Sequence, residues 1–189
     1  MQDFDIREVS NLKYKKFMVE VMKKVSEKYV ENAVVAKKNW PGAVVLDVTL
    51  GGGMELLDPS FPIENVVVPK SRKKSLSVAG MWEGLKVFKN KMVTDESYFI
   101  SERKLGKERN CKSYGKLIGV KIGEDVIEIE KAVDEVFKKE YVKNIKARFG
   151  KIIEGLKRES GKRNVVLLDY DFERYPLSHA MMIKEMIEE

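Results

Sequence analysis

The residues most able to do chemistry are Asp47, Glu83, Asp169 and His179. Asp47 and Asp169 each stand near the end of a short apolar run, residues 43–48 and 164–169. Such runs read as interior strands, and strand ends are where sheets of the α/β type place ligand groups. If the two strands are neighbours, the carboxylates come close, and one of them can be held protonated for acid–base work. Capping of the following turns is the other reading. His179 lies beside Ser178 and near Asp169 in sequence, which invites a Ser-His-Asp arrangement. Successive helix side chains do not face each other, however, and no nucleophile-elbow motif is present. A satisfied structural histidine and a ligand-contacting one both stay open. Cys111 has the cations Lys107, Arg109 and Lys112 near it, which lower a thiol's pKa when close. With no second histidine to act as its base, it is not read as a nucleophile.

Glu83 belongs to the stretch that organises the chain, residues 75–88. Ser77 can cap a helix there by accepting a first-turn N–H. Val78, Met81, Trp82 and Leu85 then share one face. Glu83 and Lys86 stand off that face, three positions apart and within reach of each other. Gly80 and Gly84 each cost a helix roughly 1 kcal/mol relative to alanine. Spaced four apart, they bare one side for a ligand or for another backbone. The helix therefore either lines a pocket or packs tightly through its glycines. Gly51-Gly52-Gly53 follows the strand at 43–48, and its N–H groups can cradle an anion or merely turn the chain. It lacks the Gly-Lys-Ser/Thr that continues a nucleotide-triphosphate loop. Asp47, Thr49, Gly51 and Gly52 are ligand-contact candidates on this argument. Lys104 and Arg109 are candidate phosphate contacts, weighed against plain solvated charge.

The elements that must position these groups are read from periodicity. Leu12, Phe17, Val21, Val25, Tyr29, Ala33 and Ala36 predict a helix over about residues 11–39, stopped by Trp40-Pro41-Gly42. The strand at 43–48 follows, then a long irregular stretch, 49–69, in which Val66-Val67-Val68-Pro69 suggests an edge strand. The helix after Ser77 is expected to run to about residue 88, and 95–114 has weak helical character. A strand is predicted over 117–122, ended by Gly123. A long helix over about 128–159 follows, in two pieces if Gly150 bends it. The strand at 164–169 leads through a polar turn to a helix started by Pro176, with His179, Met182, Ile183 and Met186 on one face. Strands few in number and separated by helices predict a single α+β domain, a small sheet packed with several helices.

Size and charge narrow the classes. A chain of 189 residues fits one domain whose core needs no disulfide or metal staple. One cysteine and one histidine exclude an internal disulfide, a multi-cysteine metal site and a His-rich centre, while a carboxylate-bound metal stays open; no cofactor is expected. The acidic N-terminus carries no signal peptide, and no run approaches a membrane span, so a cytoplasmic location is expected. Charged residues make up 35% of the chain, rich in Lys and Glu as in thermophile proteins. A net charge of +6 permits a phosphate-bearing or polyanionic partner. Nothing in the sequence fixes the oligomeric state.

Three pieces together carry a resemblance. Val45-Leu46-Asp47-Val48-Thr49, then Ser77-Val78-Ala79-Gly80-Met81-Trp82-Glu83-Gly84-Leu85-Lys86-Val87-Phe88, then Leu167-Leu168-Asp169-Tyr170 with Pro176-Leu177-Ser178-His179-Ala180, resemble a prokaryotic family of uncharacterised proteins. Its central helix looks like S-V-E-G-I-W-Q-G-L-K-V-F. More distantly, the same helix is similar to that of NADAR-type N-glycosidases, which act on ADP-ribose adducts or riboflavin-pathway intermediates and carry V-E-H-x-F-Q-A-x-K-F. With Val78 on its valine, Trp82 takes the aromatic position, Glu83 the glutamine and Lys86 the lysine. The acidic position falls on Ala79, a departure that puts catalysis by the family's carboxylate in doubt.

The resemblance implies an N-glycosidase-like protein for a phosphorylated, ribose-bearing ligand. In that expectation Glu83 and Asp169 act as the carboxylates and Trp82 stacks. Lys86, Lys104 and Arg109 hold phosphate, while Asp47, Thr49, Gly51, Gly52 and His179 line the site. The alternative is a non-catalytic protein that binds nucleotide or nucleic acid.

Overall fold

The computed structural model describes residues 17–101, 114–170 and 178–189. In order, its elements are β1 (Val19–Lys23), α1 (Tyr29–Asn39), β2 (Val44–Asp47), a 3-10 turn (Glu55–Leu57), β3 (Val66–Val67), β4 (Lys74–Ser75), α2 (Val78–Leu85) and β5 (Lys86–Phe88). A second 3-10 turn (Glu96–Ile100), β6 (Leu117–Ile122), β7 (Asp125–Ile127), α3 (Ile129–Ala132), a π-helical turn (Val133–Lys138), α4 (Lys139–Ser160), β8 (Val165–Asp169) and α5 (His179–Glu188) follow. No helix among the described residues is long and apolar enough to cross a membrane.

All five residues of β8 are buried. It lies between β1 and β2 and is parallel to both, with Val19 and Val44 each opposite Val165. A parallel sheet must be covered on both faces, and side chains alternate between them. Val45, Val166 and Leu168 pack with Ala33 and Ala36 of α1 on one face. Val165 and Leu167 point the other way, into the main core, which they share with Ile153 and Leu156 of α4 and Ile183 and Met186 of α5. That core continues through Val78 and Met81 of α2 to Val120 and Ile122 of β6. The result is an α+β domain, as the alternation of apolar runs predicted.

Several boundaries differ from the sequence reading. The expected helix over 11–39 gives way to strand β1, and helix begins only at Tyr29. Asn32 is the reason. Fully buried, its side chain accepts from the N–H groups of Val25 and Ser26 and donates to the carbonyls of Ser26 and Lys28, which fixes a turn where the helix would have run. Likewise α2 stops at Leu85, and the β-branched Val87 leads strand β5 into an antiparallel sheet with β6 and β7. The β6–β7 hairpin was not foreseen. A Cβ on Gly119 would lie 2.3 Å from the Ile127 carbonyl oxygen, so only glycine lets these strands close. The long helix is broken where expected, at Phe149 beside Gly150 (φ −123°, ψ 18°), and it starts with a π turn that no spacing announced.

The start of α2 follows the sequence reading. The Ser77 hydroxyl accepts from the Gly80 N–H at 3.0 Å, and Val78, Met81 and Leu85 are buried. The side bared by the glycines is filled by the chain itself. A Cβ on Gly80 would sit 2.7 Å from the Tyr98 carbonyl oxygen, and one on Gly84 would sit 2.3 Å from the Phe99 ring. The tight-packing reading of the two glycines therefore holds. Gly84→Ala should cost about 1–3 kcal/mol through overpacking. Gly155→Ala, inside α4 with nothing nearer than Arg158 at 4.0 Å, should gain about 0.5–1 kcal/mol. Urea denaturation of both variants checks this, and equal effects of the same sign would contradict the packing described.

Candidate functional site

The parallel strands β1, β8 and β2 bring Lys24, Asp169 and Asp47 to the same, carboxyl, end of the sheet. Asp47 is opposite Leu168 in register, so it shares Leu168's face, the one covered by α1. Asp169 is one residue further on and projects to the opposite face. The strands are neighbours, as the acid–base reading required, but alternation sends the two carboxylates to different sides.

On the α1 face Asp47 is held by a buried ion pair. The Lys24 ammonium lies 2.9 Å from its Oδ2, with side-chain exposures of 8% and 4%. The Thr49 hydroxyl and N–H both donate to Oδ1, at 2.6 and 3.1 Å, and Lys24 also donates to the Thr49 hydroxyl at 3.3 Å. Burial pushes the Asp47 pKa up, but the bonds from Thr49 and Lys24 outweigh it and leave the carboxyl below its ordinary value. The Lys24 ammonium sits over the Tyr170 ring, 5.0 Å from its centroid. Lys24 was missed from the sequence because the helical reading of 11–39 placed it on a solvated face.

On the other face Asp169 ties β8 to α5. Its Oδ2 accepts from the Ser178 hydroxyl at 2.5 Å and the Ala180 N–H at 3.3 Å, while Oδ1 accepts from the Tyr170 N–H at 2.7 Å. His179 Nδ1 lies 3.4 Å from the same Oδ2, and Nε2 lies 3.0 Å from the Val48 carbonyl oxygen. The Ser178 hydroxyl donates to the aspartate rather than to the histidine, so no nucleophilic triad forms. Ser178 also caps α5 by accepting from the Met181 N–H. His179 is buried, with both ring nitrogens facing oxygens of the protein. Asp169 and His179 thereby form a clasp between the sheet and the last helix.

The glycine loop is also closed on itself. The N–H groups of Leu50 and Gly51 donate to the carboxylates of Asp58 and Glu55, at 2.8 and 2.9 Å, and that of Gly52 to the Thr49 carbonyl at 2.8 Å. A Cβ on Gly52 would lie 2.6 Å from Asp47, so glycine is needed for the loop to fold over that ion pair. An external anion would have to displace the protein's own carboxylates. Lys104 and Arg109 lie outside the described residues, as does Cys111.

The half-exposed stripe of α2 differs from all of these. Ala79, Trp82, Glu83 and Lys86 line one side of the helix at the boundary of core and solvent. Glu83 and Lys86 form an ion pair, with side-chain exposures of 20% and 19%. The Lys86 ammonium also lies 5.9 Å from the Trp82 ring centroid. Trp82 packs edge-on against Phe137 of the π turn at 5.3 Å, Phe137 stacks on Tyr141 at 6.3 Å, and Tyr141 meets the His179 ring at 6.4 Å. Tyr141 is fully buried and donates its hydroxyl to the Leu57 carbonyl. Burial, reinforced by the carboxylates of Asp58 and Asp169, pushes its pKa well up, so it stays a neutral donor. This line of rings backs Trp82 rigidly, while its indole N–H finds no acceptor among the described residues. A half-buried indole usually finds one. Phe137 and Tyr141 were read only as core, and nothing in their spacing signals the π turn that aims Phe137 at Trp82. Among the described residues no group of three or more His, Cys, Asp or Glu could hold a metal ion.

The Lys24–Asp47 pair sets a pH dependence. Because the Asp47 pKa is lowered on folding, its contribution is full above the ordinary value of 3.8 and is lost as pH falls through the depressed one. Asp47→Asn leaves the Lys24 ammonium buried without its counter-charge and should cost about 3 kcal/mol at neutral pH. Denaturant titrations of wild type and variant should show that gap narrowing in acid below 3.8. A gap that stays constant into strong acid would contradict this account.

Comparison with curated proteins gives no match, and comparison with solved structures gives none. Residues 27–183, from just before α1 into α5, match a family described as "Family of unknown function (DUF6939)". With that match covering most of its length, the chain belongs to this family.

Proposed function

We propose that the half-exposed stripe of α2 binds a phosphorylated, ribose-bearing ligand and that Glu83 assists cleavage of its N-glycosidic bond. One observation carries the reading. A glutamate–lysine pair stands in a partly desolvated position beside an indole whose N–H has no acceptor among the described residues. A phosphate group competes with Glu83 for the Lys86 ammonium. The Trp82 face offers stacking to a base or sugar. In the reaction the C1–N bond breaks and the base leaves with the bonding pair and takes up a proton. Water then adds to C1 and loses a proton. Positive charge on the ribose is greatest between these events, and a fixed carboxylate stabilises it there. The resemblance to NADAR-type proteins supports the same ligand class. Its acidic position falls on Ala79, one turn before Glu83 on the same stripe, so the carboxylate is displaced along the helix rather than lost from that face. Asp169, held in its clasp, is given a structural role in this reading. We place the protein in the cytoplasm because charged, phosphorylated ribose compounds do not cross membranes unaided.

The alternative, binding without turnover, is favoured by the alanine at position 79. One series of experiments separates the two. ADP-ribose and ribose 5-phosphate are added separately in a thermal melt, and release of free base from ribosyl phosphates is followed by chromatography. The expected result is a melting temperature that rises with ligand, with the rise lost in Trp82→Ala and Lys86→Ala. Glu83→Gln should retain the rise and lose turnover by about 100-fold. A rise with no turnover in the wild-type protein would establish the binding-only reading. No rise, or one unchanged by both α2 variants, would overturn the site itself.

A further inference from the structure

Immediately after α2 the chain enters a surface that the proposed reaction does not use. Residues 87–93 and 114–121 contain four lysines and no acid. The first segment turns back on itself at Lys89-Asn90, where the Phe88 and Lys91 backbones exchange hydrogen bonds of 2.9 and 3.2 Å. The N–H groups of Lys89 and Asn90 donate to the carbonyls of Lys116 and Tyr114, at 2.8 and 3.0 Å, so the two segments meet at this tip. Gly115, at φ +75°, is pressed against the Asn90 side chain and fixes the approach. Lys89, Lys91 and Lys116 are exposed, and among the described residues none has a carboxylate partner. Elsewhere lysines such as Lys70, Lys138 and Lys143 do have one. The Lys91 ammonium lies 4.8 Å from the centroid of Tyr114, which packs edge-on against the buried Phe88 at 5.5 Å. Next to the tip, Met92 and Val93 are half exposed or more.

We infer that this tip is a binding surface for single-stranded nucleic acid. An ammonium over a rigidly backed aromatic ring, two further exposed lysines at the same tip with no carboxylate partner among the described residues, and an apolar shoulder beside them match what a single strand presents. The lysines meet the phosphates, and Tyr114, Met92 and Val93 meet the flat base faces. Duplex hides those faces, and the ring backed edge-on by Phe88 offers its face to a base, so a single strand is the occupant chosen and an anionic membrane is an outcome of the test. The surface is separate from the Glu83 stripe and stands or falls independently of it.

The test is fluorescence anisotropy with a labelled single-stranded thymidine oligomer of about twelve nucleotides over a salt series. The wild-type protein should bind at low salt and bind a duplex of equal length more weakly. Replacing Lys89, Lys91 and Lys116 together by glutamine should weaken binding at least about tenfold and flatten the salt slope by about 2. Tyr114→Leu should weaken binding about tenfold with the slope unchanged. Melting curves establish that the triple variant, altered only at exposed positions, keeps its fold. Absence of oligomer binding, binding unaffected by the triple substitution, or binding to anionic vesicles without binding to the oligomer would each overturn the inference.

Discussion

A strand buried along its whole length must be covered from both sides, and β8 imposes that requirement on the chain. It pairs in parallel with β1 and β2, which the sequence supplies from its opposite end, so the sheet cannot form until the last third of the chain is present. Each of its buried aliphatic residues contributes roughly 2 kcal/mol by leaving water. That gain requires α1 on one face and α4 with α5 on the other. The antiparallel sheet and α2 then extend the same core sideways. The fold is thus built around the parallel sheet, with an apolar cluster on each face and the α2 stripe at the margin of the larger one.

The carboxyl end of that sheet carries two buried polar knots, one on each face. Lys24, Asp47 and Thr49 form the first, Asp169, Ser178 and His179 the second. Buried charges cost desolvation, so such pairs contribute little net stability unless every remaining lone pair finds a donor. Here Thr49 and the Tyr170, Ser178 and Ala180 donors supply them. The knots fix which strand lies beside which and where α5 begins. They also explain why the end of the sheet, the first place to expect a ligand in a parallel arrangement, is already filled by the protein's own groups.

Much of this was legible in the sequence, and the failures have physical causes. The strands at 43–48, 117–122 and 164–169, the Ser77 cap, the Glu83–Lys86 pair and the buried face of α5 all follow from local spacing. Residues 17–25 misled because Phe17, Val21, Val25 and Tyr29 fit a helical face, while the alternating Val19 and Val21 fit a strand equally well. The deciding contact, Asn32 folding back on Val25 and Ser26, is visible only in three dimensions. The strand-end aspartates were found by position, but neither parallel register nor the face each side chain takes can be read from spacing. Tyr141 and Phe137 were placed correctly in the core, yet their role as a rigid backing for Trp82 depends on a π turn whose sequence reads as ordinary helix.

The central proposal is that Trp82, the one aromatic residue of α2, faces a ligand. The chain contains only two tryptophans, Trp40 and Trp82, which makes a direct observation simple. The measurement is a nitrogen–proton NMR titration of the two indole N–H signals with ribose 5-phosphate, assigned with Trp40→Phe. The account predicts a saturable shift of the Trp82 signal while that of Trp40, on the far side of the parallel sheet with α1, stays in place. A Trp82 signal that does not move at saturating phosphate sugar, or a shift confined to Trp40, would contradict it.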